Sequence, residues 1–64
     1  MKLKKTKVLL VMAERNMYQK DLAEAAGMSR GNLSTLVNGK NCQPKTAFKI
    51  AQALNVSVEE ILED

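Results

Sequence analysis

Side chains able to do covalent or acid–base chemistry are scarce in this sequence. There is no His and a single Cys, Cys42, so no imidazole stands ready to activate a nucleophile, and one thiol cannot build a structural zinc site. Cys42 reads as an isolated thiol of a reducing compartment. The remaining cluster, Glu59, Glu60, Glu63 and Asp64, has the look of a solvated helix face rather than a paired acid and base. No enzyme, cofactor or metal site is expected. What is left is charge and hydrogen bonding: ten Lys and Arg against seven Asp and Glu give a net charge of +3. Residues 1–32 hold seven of the ten cations and only three of the seven acids, while residues 33–64 lean acidic. A positive half fits a polyanionic partner, although ordinary solubilising lysines would give the same totals.

The elements that must carry these groups follow from the apolar spacing. Sixty-four residues make one domain, 1–64, whose small core has to be well patterned to hold. The longest apolar run, Val8 to Ala13, falls far short of the roughly 20 residues that span a bilayer. Met1 to Met17 has the basic start and apolar middle of a secretory leader, but Glu14 and Arg15 interrupt it and no small-residue cleavage site follows, so a cytoplasmic location is expected. Nothing alternates with period two over a useful length, and the punctuation gives five helices, hence an all-α fold.

Helix one is predicted over Leu3 to Arg15, with Val8, Val11 and Met12 inward; helix two over Gln19 to Ala26, with Leu22 and Ala23 inward and Gly27 as its stop. Helix three opens on Ser29 as N-cap, carries Leu33, Leu36 and Val37, and ends at Asn38-Gly39. Helix four runs from Pro44 to Leu54, with Phe48, Ile50, Ala51 and Leu54 apolar, and Asn55 closes it. Ser57 and Glu60 read as a capping box before Ile61 and Leu62 in a short fifth helix. Two short helices joined through Gly27 with about three residues between them must cross steeply, and Ala23 is the small side chain that permits the approach.

Gln19-Lys20-Asp21-Leu22-Ala23-Glu24-Ala25-Ala26-Gly27-Met28-Ser29 with Leu33-Ser34-Thr35-Leu36-Val37-Asn38-Gly39 resembles the Cro and lambda-repressor type of helix-turn-helix family, XRE-like. Pro44 to Val56 resembles that family's fourth helix. The resemblance covers nearly the whole chain. It implies a compact five-helix, lambda-repressor-like DNA-binding domain whose third helix lies in the major groove while the start of the second abuts the phosphate backbone. On that footing Arg30 stands where its planar fork can reach guanine O6 and N7, or else a phosphate. Gly31 leaves a gap where relatives place a reading side chain. Asn32 faces either adenine or the backbone, and Thr35 offers a methyl or a hydroxyl to base edges, with Ser34 a weaker candidate. Phosphate contacts are expected from Tyr18 and Gln19 at the start of helix two, from Asn38, Lys40 and Asn41 after helix three, and from Lys45, with Thr46 as a further candidate.

Two departures from the family pattern stand out. Tyr18 replaces the usual Ser or Thr cap of helix two, so that helix loses a side-chain cap or gains a phosphate donor. Met12 and Val37 stand where many relatives pair a buried Arg with a Glu; both charges are missing together, which leaves no unpaired ion. The resemblance implies a regulator, a repressor, that binds double-stranded DNA as a homodimer on a pseudo-palindromic operator. A different use of the same fold, a protein-binding antitoxin or adaptor, is the alternative.

Overall fold

The computed structural model describes residues 1–63; Asp64, the last acid of the C-terminal cluster, lies outside them. Among the described residues five helices follow one another: α1 (Lys5–Glu14), α2 (Gln19–Ala26), α3 (Arg30–Val37), α4 (Pro44–Leu54) and α5 (Val58–Ile61). Two short strands join the ends of the chain. Strand β1 (Lys2–Leu3) pairs antiparallel with β2 (Leu62–Glu63), Leu3 opposite Leu62 and Lys2 opposite Glu63, and the Lys4 amide donates to the Ile61 carbonyl at 2.7 Å. This corrects the expected start of the first helix and the end of the last. Leu3 and Leu62 belong to extended backbone, and Leu3 is buried there.

Why α1 to α4 stop where they do has one answer. Asn16, Gly27, Gly39 and Asn55 all take positive φ, and each sits just past a helix, where the turn to the left-handed region lets two amides fold back onto the last carbonyls. The pairs are Met17 to Met12 and Asn16 to Ala13, Met28 to Ala23 and Gly27 to Glu24, Lys40 to Thr35 and Gly39 to Leu36, and Val56 to Ala51 and Asn55 to Gln52, at 2.9–3.2 Å. In three of the four the two residues joined by the bond of wider sequence span are apolar and packed on the core: Met17 with Met12, Met28 with Ala23, Val56 with Ala51. At α3 that pair is Lys40 with Thr35, both exposed.

The helix starts are more varied. Ser29 accepts from the Asn32 amide at 3.1 Å, as expected of an N-cap. Ser57 accepts from the Glu59 amide at 3.3 Å, two residues on, so this is a tight serine turn rather than the expected box with Glu60. Tyr18 supplies no side-chain cap; instead its own amide donates to Asp21 Oδ2 at 2.8 Å, which is half of a capping box.

One apolar cluster unites all five helices and β1, with Leu3, Val8, Leu22, Leu33, Val37, Ile50, Leu54 and Ile61 at its centre. α2 packs on α3 and α4, α5 on α4 and α1, and β1 against α3. Met12 and Val37 are both buried members of this cluster, so the positions expected to be apolar in place of a buried ion pair are apolar core. On α4 the inward row is Ala47, Ile50, Ala51 and Leu54, spaced i, i+3, i+4, i+7, which turns Phe48 outward with 54% of its surface exposed. Cys42 is buried after α3, and its amide donates to the Met1 carbonyl at 2.7 Å. Burial pushes the thiol above its usual range, with the N-terminal ammonium pulling the other way.

Candidate nucleic-acid interface

The α2–turn–α3 unit is rigid for reasons that can be read residue by residue. Gly27 at φ 71° ends α2, Ser29 caps α3, and only residues 27–29 lie between the helices. Leu22, Ala23 and Ala26 from α2 and Leu33 and Val37 from α3 are buried, so the packed faces of both helices are fixed by the core. That leaves Gly31, Asn32 and Thr35 exposed on the other side of α3 and Arg30 exposed at its first residue. All four of the residues expected to face bases are therefore solvent-accessible and carried by one turn and a half of helix.

Their bonding sharpens what each can offer. The Thr35 hydroxyl donates to the Gly31 carbonyl at 2.9 Å, so its proton is committed within the helix. Its methyl group and the oxygen's lone pairs are what it can present, to a thymine methyl or to an amino donor of cytosine or adenine. A Cβ added at Gly31 would meet nothing within 4 Å, so no neighbour in the protein requires glycine there. The Asn32 side chain is exposed, while its amide belongs to the Ser29 cap.

Arg30 does not stand apart from the phosphate candidates. It lines, together with Tyr18, Gln19 and Lys20, a shallow depression of about 400 Å³ at the start of α2. The first-turn amides and positive dipole end of α2 add to two cations, a phenol and a carboxamide, an assembly suited to one phosphate group. Asp21 brings a carboxylate nearby, but it is bound to the Tyr18 amide and acts on the helix end. Lys20 adds to the expected phosphate contacts, and its place beside Gln19 at the positive end of α2 is the signal the sequence holds for it.

The second flank follows α3. Asn38 closes the helix, its amide donating to the Ser34 carbonyl at 3.0 Å and its side-chain Nδ2 to Ser34 Oγ at 3.4 Å. Lys40 and Asn41 are exposed in the loop beyond it, and Lys45 is exposed in the first turn of α4. Thr46 is half-buried. Lys45 also borders an apolar groove with Phe48, on a wall of α4 separate from the residues at the start of α2. Among the described residues no group of three or more His, Cys, Asp or Glu can hold a metal ion, and no helix is long and apolar enough to cross a membrane.

Arg15, expected from the sequence only as the end of the first helix, has a structural task. Its Nε donates to the Leu54 carbonyl at 2.8 Å and its Nη2 to the Asn55 carbonyl at 3.4 Å, placing a cation on the C-terminal end of α4. α1 thereby ties down the helix that backs α2.

Known proteins share both the sequence and this arrangement. The chain is 46% identical over 46 residues to the HTH-type transcriptional regulator PrtR of Pseudomonas aeruginosa, a match that takes in 72% of this chain and 18% of PrtR. It is 36% identical over 58 residues to an uncharacterized HTH-type transcriptional regulator of Archaeoglobus fulgidus, covering 89% of this chain and 82% of that protein. Among solved structures, a mutant of the restriction-modification controller protein C.Esp1396I superposes with a TM-score of 0.75 at 26% identity, over 83% of this chain and 70% of that one. A mutant hydroxyethylphosphonate dioxygenase superposes over the whole of this chain with a TM-score of 0.85 at 25% identity, but the shared part is 14% of that chain, one domain-sized segment of it. The family of Cro/C1-type HTH DNA-binding domains matches residues 7–64. With its turn at Gly27, its capped and exposed α3 and a match over nearly its full length, the chain belongs to the Cro/C1-type helix-turn-helix DNA-binding domain family, to which its named sequence relatives, both HTH-type transcriptional regulators, are also similar.

Proposed function

We propose that this chain is a transcriptional repressor of the cytoplasm that reads a short operator in the DNA major groove with α3. Arg30, Asn32 and Thr35 face base edges around the gap at Gly31, and the gap lets the helix approach the bases closely. Tyr18, Gln19 and Lys20 hold a phosphate on one side of the groove; Asn38, Lys40, Asn41 and Lys45 hold phosphates on the other. Arg30, lying beside Tyr18 and Gln19, is within reach of both a guanine edge and the first phosphate. Two copies sit on a pseudo-palindrome, their reading helices about 34 Å apart and their half-sites centred roughly 10 base pairs apart.

The observation that carries this reading is the end of α3. Where α1, α2 and α4 each close over an apolar pair packed on the core, α3 closes over Lys40 and Thr35, both exposed. The exposed lysine that closes α3 favours an anion beside the outer face of that helix. Salt separates this reading from a protein-binding one. Binding to the preferred duplex should fall steeply and linearly in log–log form between 50 and 200 mM salt, by a slope set by the number of phosphates neutralised. An affinity nearly flat in salt, for DNA or for a protein captured in its place, would favour the adaptor.

A further inference from the structure

We propose that Asn38 is a site of self-modification: the Gly39 amide converts its carboxamide to a carboxylate at the end of α3, and DNA binding is slowly lost with it. The conversion is a property of the protein alone, and only its effect on DNA rests on the reading above. The Gly39 nitrogen gives its proton to solvent and attacks Asn38 Cγ; Nδ2 leaves as ammonia and a succinimide ring closes. Water then adds to one of the two ring carbonyls. Opening at Cγ leaves an aspartate, and opening at the main-chain carbon leaves an isoaspartate, with Gly39 now joined through the former side chain. One water is taken up and one ammonia released, with no change of oxidation state.

The surroundings of the asparagines single out this one. Five are present, at positions 16, 32, 38, 41 and 55, and the residues that follow them are Met17, Leu33, Gly39, Cys42 and Val56. A side chain on the following residue hinders the attack, and only Asn38 is followed by none. All five following amides donate to backbone carbonyls, and the bond from Gly39 to Leu36 is the longest of them at 3.2 Å; the others measure 2.7–3.0 Å. The space where a Gly39 side chain would stand is open, with no atom within 4 Å of an added Cβ. Asn38 itself is exposed, and its Nδ2 is held by a single bond to Ser34 Oγ at 3.4 Å.

Closed, the helix end holds the reaction back. Asn38 has a ψ of 7° and the Gly39 N–H is committed to the Leu36 carbonyl, so the end must open before the nitrogen can reach Cγ. This end is the one least fastened. α1, α2 and α4 close over apolar pairs packed on the core, whereas α3 closes over Lys40 and Thr35, both exposed, and such termini open at a small fraction of the cost of global unfolding. Either product sets a carboxylate on the negative end of the α3 dipole, beside the phosphates that Lys40 and Asn41 would hold. Isoaspartate also lengthens the backbone before Gly39, which displaces the two amides that close the helix. Bound DNA covers Asn38 and keeps the end shut, so the free protein is converted and the bound protein is spared.

Incubation at pH 7.4 and 37 °C, followed by intact mass and by labelling with isoaspartyl methyltransferase, tests this on the free protein. Asn38 should convert before the other four asparagines, within about thirtyfold of the rate in the isolated peptide 31–40, and Asn38→Gln should abolish the labelling. Thr35→Leu with Lys40→Leu, which gives α3 the apolar closure of its neighbours, should slow conversion at least about threefold. Arg15→Ala loosens α4 instead and should leave the rate within twofold; a reaction through the unfolded chain would speed up about fivefold with its loss of stability. On DNA, the converted protein and Asn38→Asp should each lose about tenfold in affinity for the preferred duplex, and saturating duplex should slow conversion of the wild type at least about fivefold. An Asn38 that converts no faster than the other asparagines, a rate that follows Arg15→Ala, or a converted protein that binds as before would overturn the proposal. Fresh wild type that binds no duplex would count against the DNA reading and leave the modification result standing.

Discussion

Replacing Gly31 by Ala should make the free protein more stable and the DNA complex weaker. Gly31 is the second residue of α3, its φ is an ordinary negative one, and a Cβ there meets nothing within 4 Å. Alanine therefore adds no strain, removes backbone freedom from the unfolded chain and improves helix propensity, together about 0.5–1 kcal/mol. For a domain of this size that raises the midpoint of thermal unfolding by roughly 2–8 °C. The Thr35 hydroxyl bond to the Gly31 carbonyl involves only backbone at position 31 and survives. On DNA, the same methyl group enters the space through which α3 approaches the bases, so affinity for the preferred duplex should fall by about tenfold, or 1.4 kcal/mol. Thermal and urea unfolding followed by circular dichroism give the first quantity, and a fluorescence-anisotropy titration gives the second. A variant that is stabilised but binds DNA unchanged refutes the steric gap. One that is destabilised refutes the reading of α3 itself.

Lys40→Ala should weaken binding to all duplexes alike and flatten the salt slope by about one, because a phosphate contact carries no base preference; an unchanged slope would make Lys40 an ordinary surface lysine. Arg15→Ala should cost about 1 kcal/mol in urea unfolding, since it removes the cation and the donor at the end of α4, and Arg15→Lys should recover only part of it. For Cys42, the folded thiol titrates above its unfolded value, so the stability linked to it is whole below the ordinary thiol pKa and is lost as pH rises through the folded one. Urea stability should then decline more above about pH 9 in the wild type than in Cys42→Ala, and alkylation of the folded thiol should be slower than that of an unstructured cysteine peptide.

Local chemistry made much of this fold legible. Gly27, Gly39 and Asn55 signal helix ends because few residues take positive φ, and Ser29 signals a start because its hydroxyl satisfies an orphan amide; all four act so in the structure. The period of 3.6 put Val8, Val11, Met12, Leu22, Ala23, Leu33 and Val37 in the core, where they are. Contacts between distant parts of the chain were not legible. The pairing of Lys2–Leu3 with Leu62–Glu63, the bond from Cys42 to Met1 and the reach of Arg15 across 39 residues to Leu54 leave no local pattern, so local spacing places Leu3 and Leu62 in helices. Phase decided α4: the row of apolar residues admits Ala47 as well as Phe48, and the small residue faces in. At the candidate site, exposure of Arg30, Gly31, Asn32 and Thr35 followed from the burial of their neighbours, whereas the grouping of Arg30 with Tyr18, Gln19 and Lys20 depends on how α3 crosses α2.

The central claim, that α3 reads DNA sequence, is tested most directly by selecting binding sites from random duplexes with the wild type and with Arg30→Ala, at 50 and 200 mM salt. The wild type should return a two-fold-symmetric motif with half-sites about 10 base pairs apart, and Arg30→Ala should lose its preference at one guanine per half-site, at about 1–3 kcal/mol on the preferred duplex. Recovery of no motif by the wild type, or of the same motif by both proteins, would contradict it.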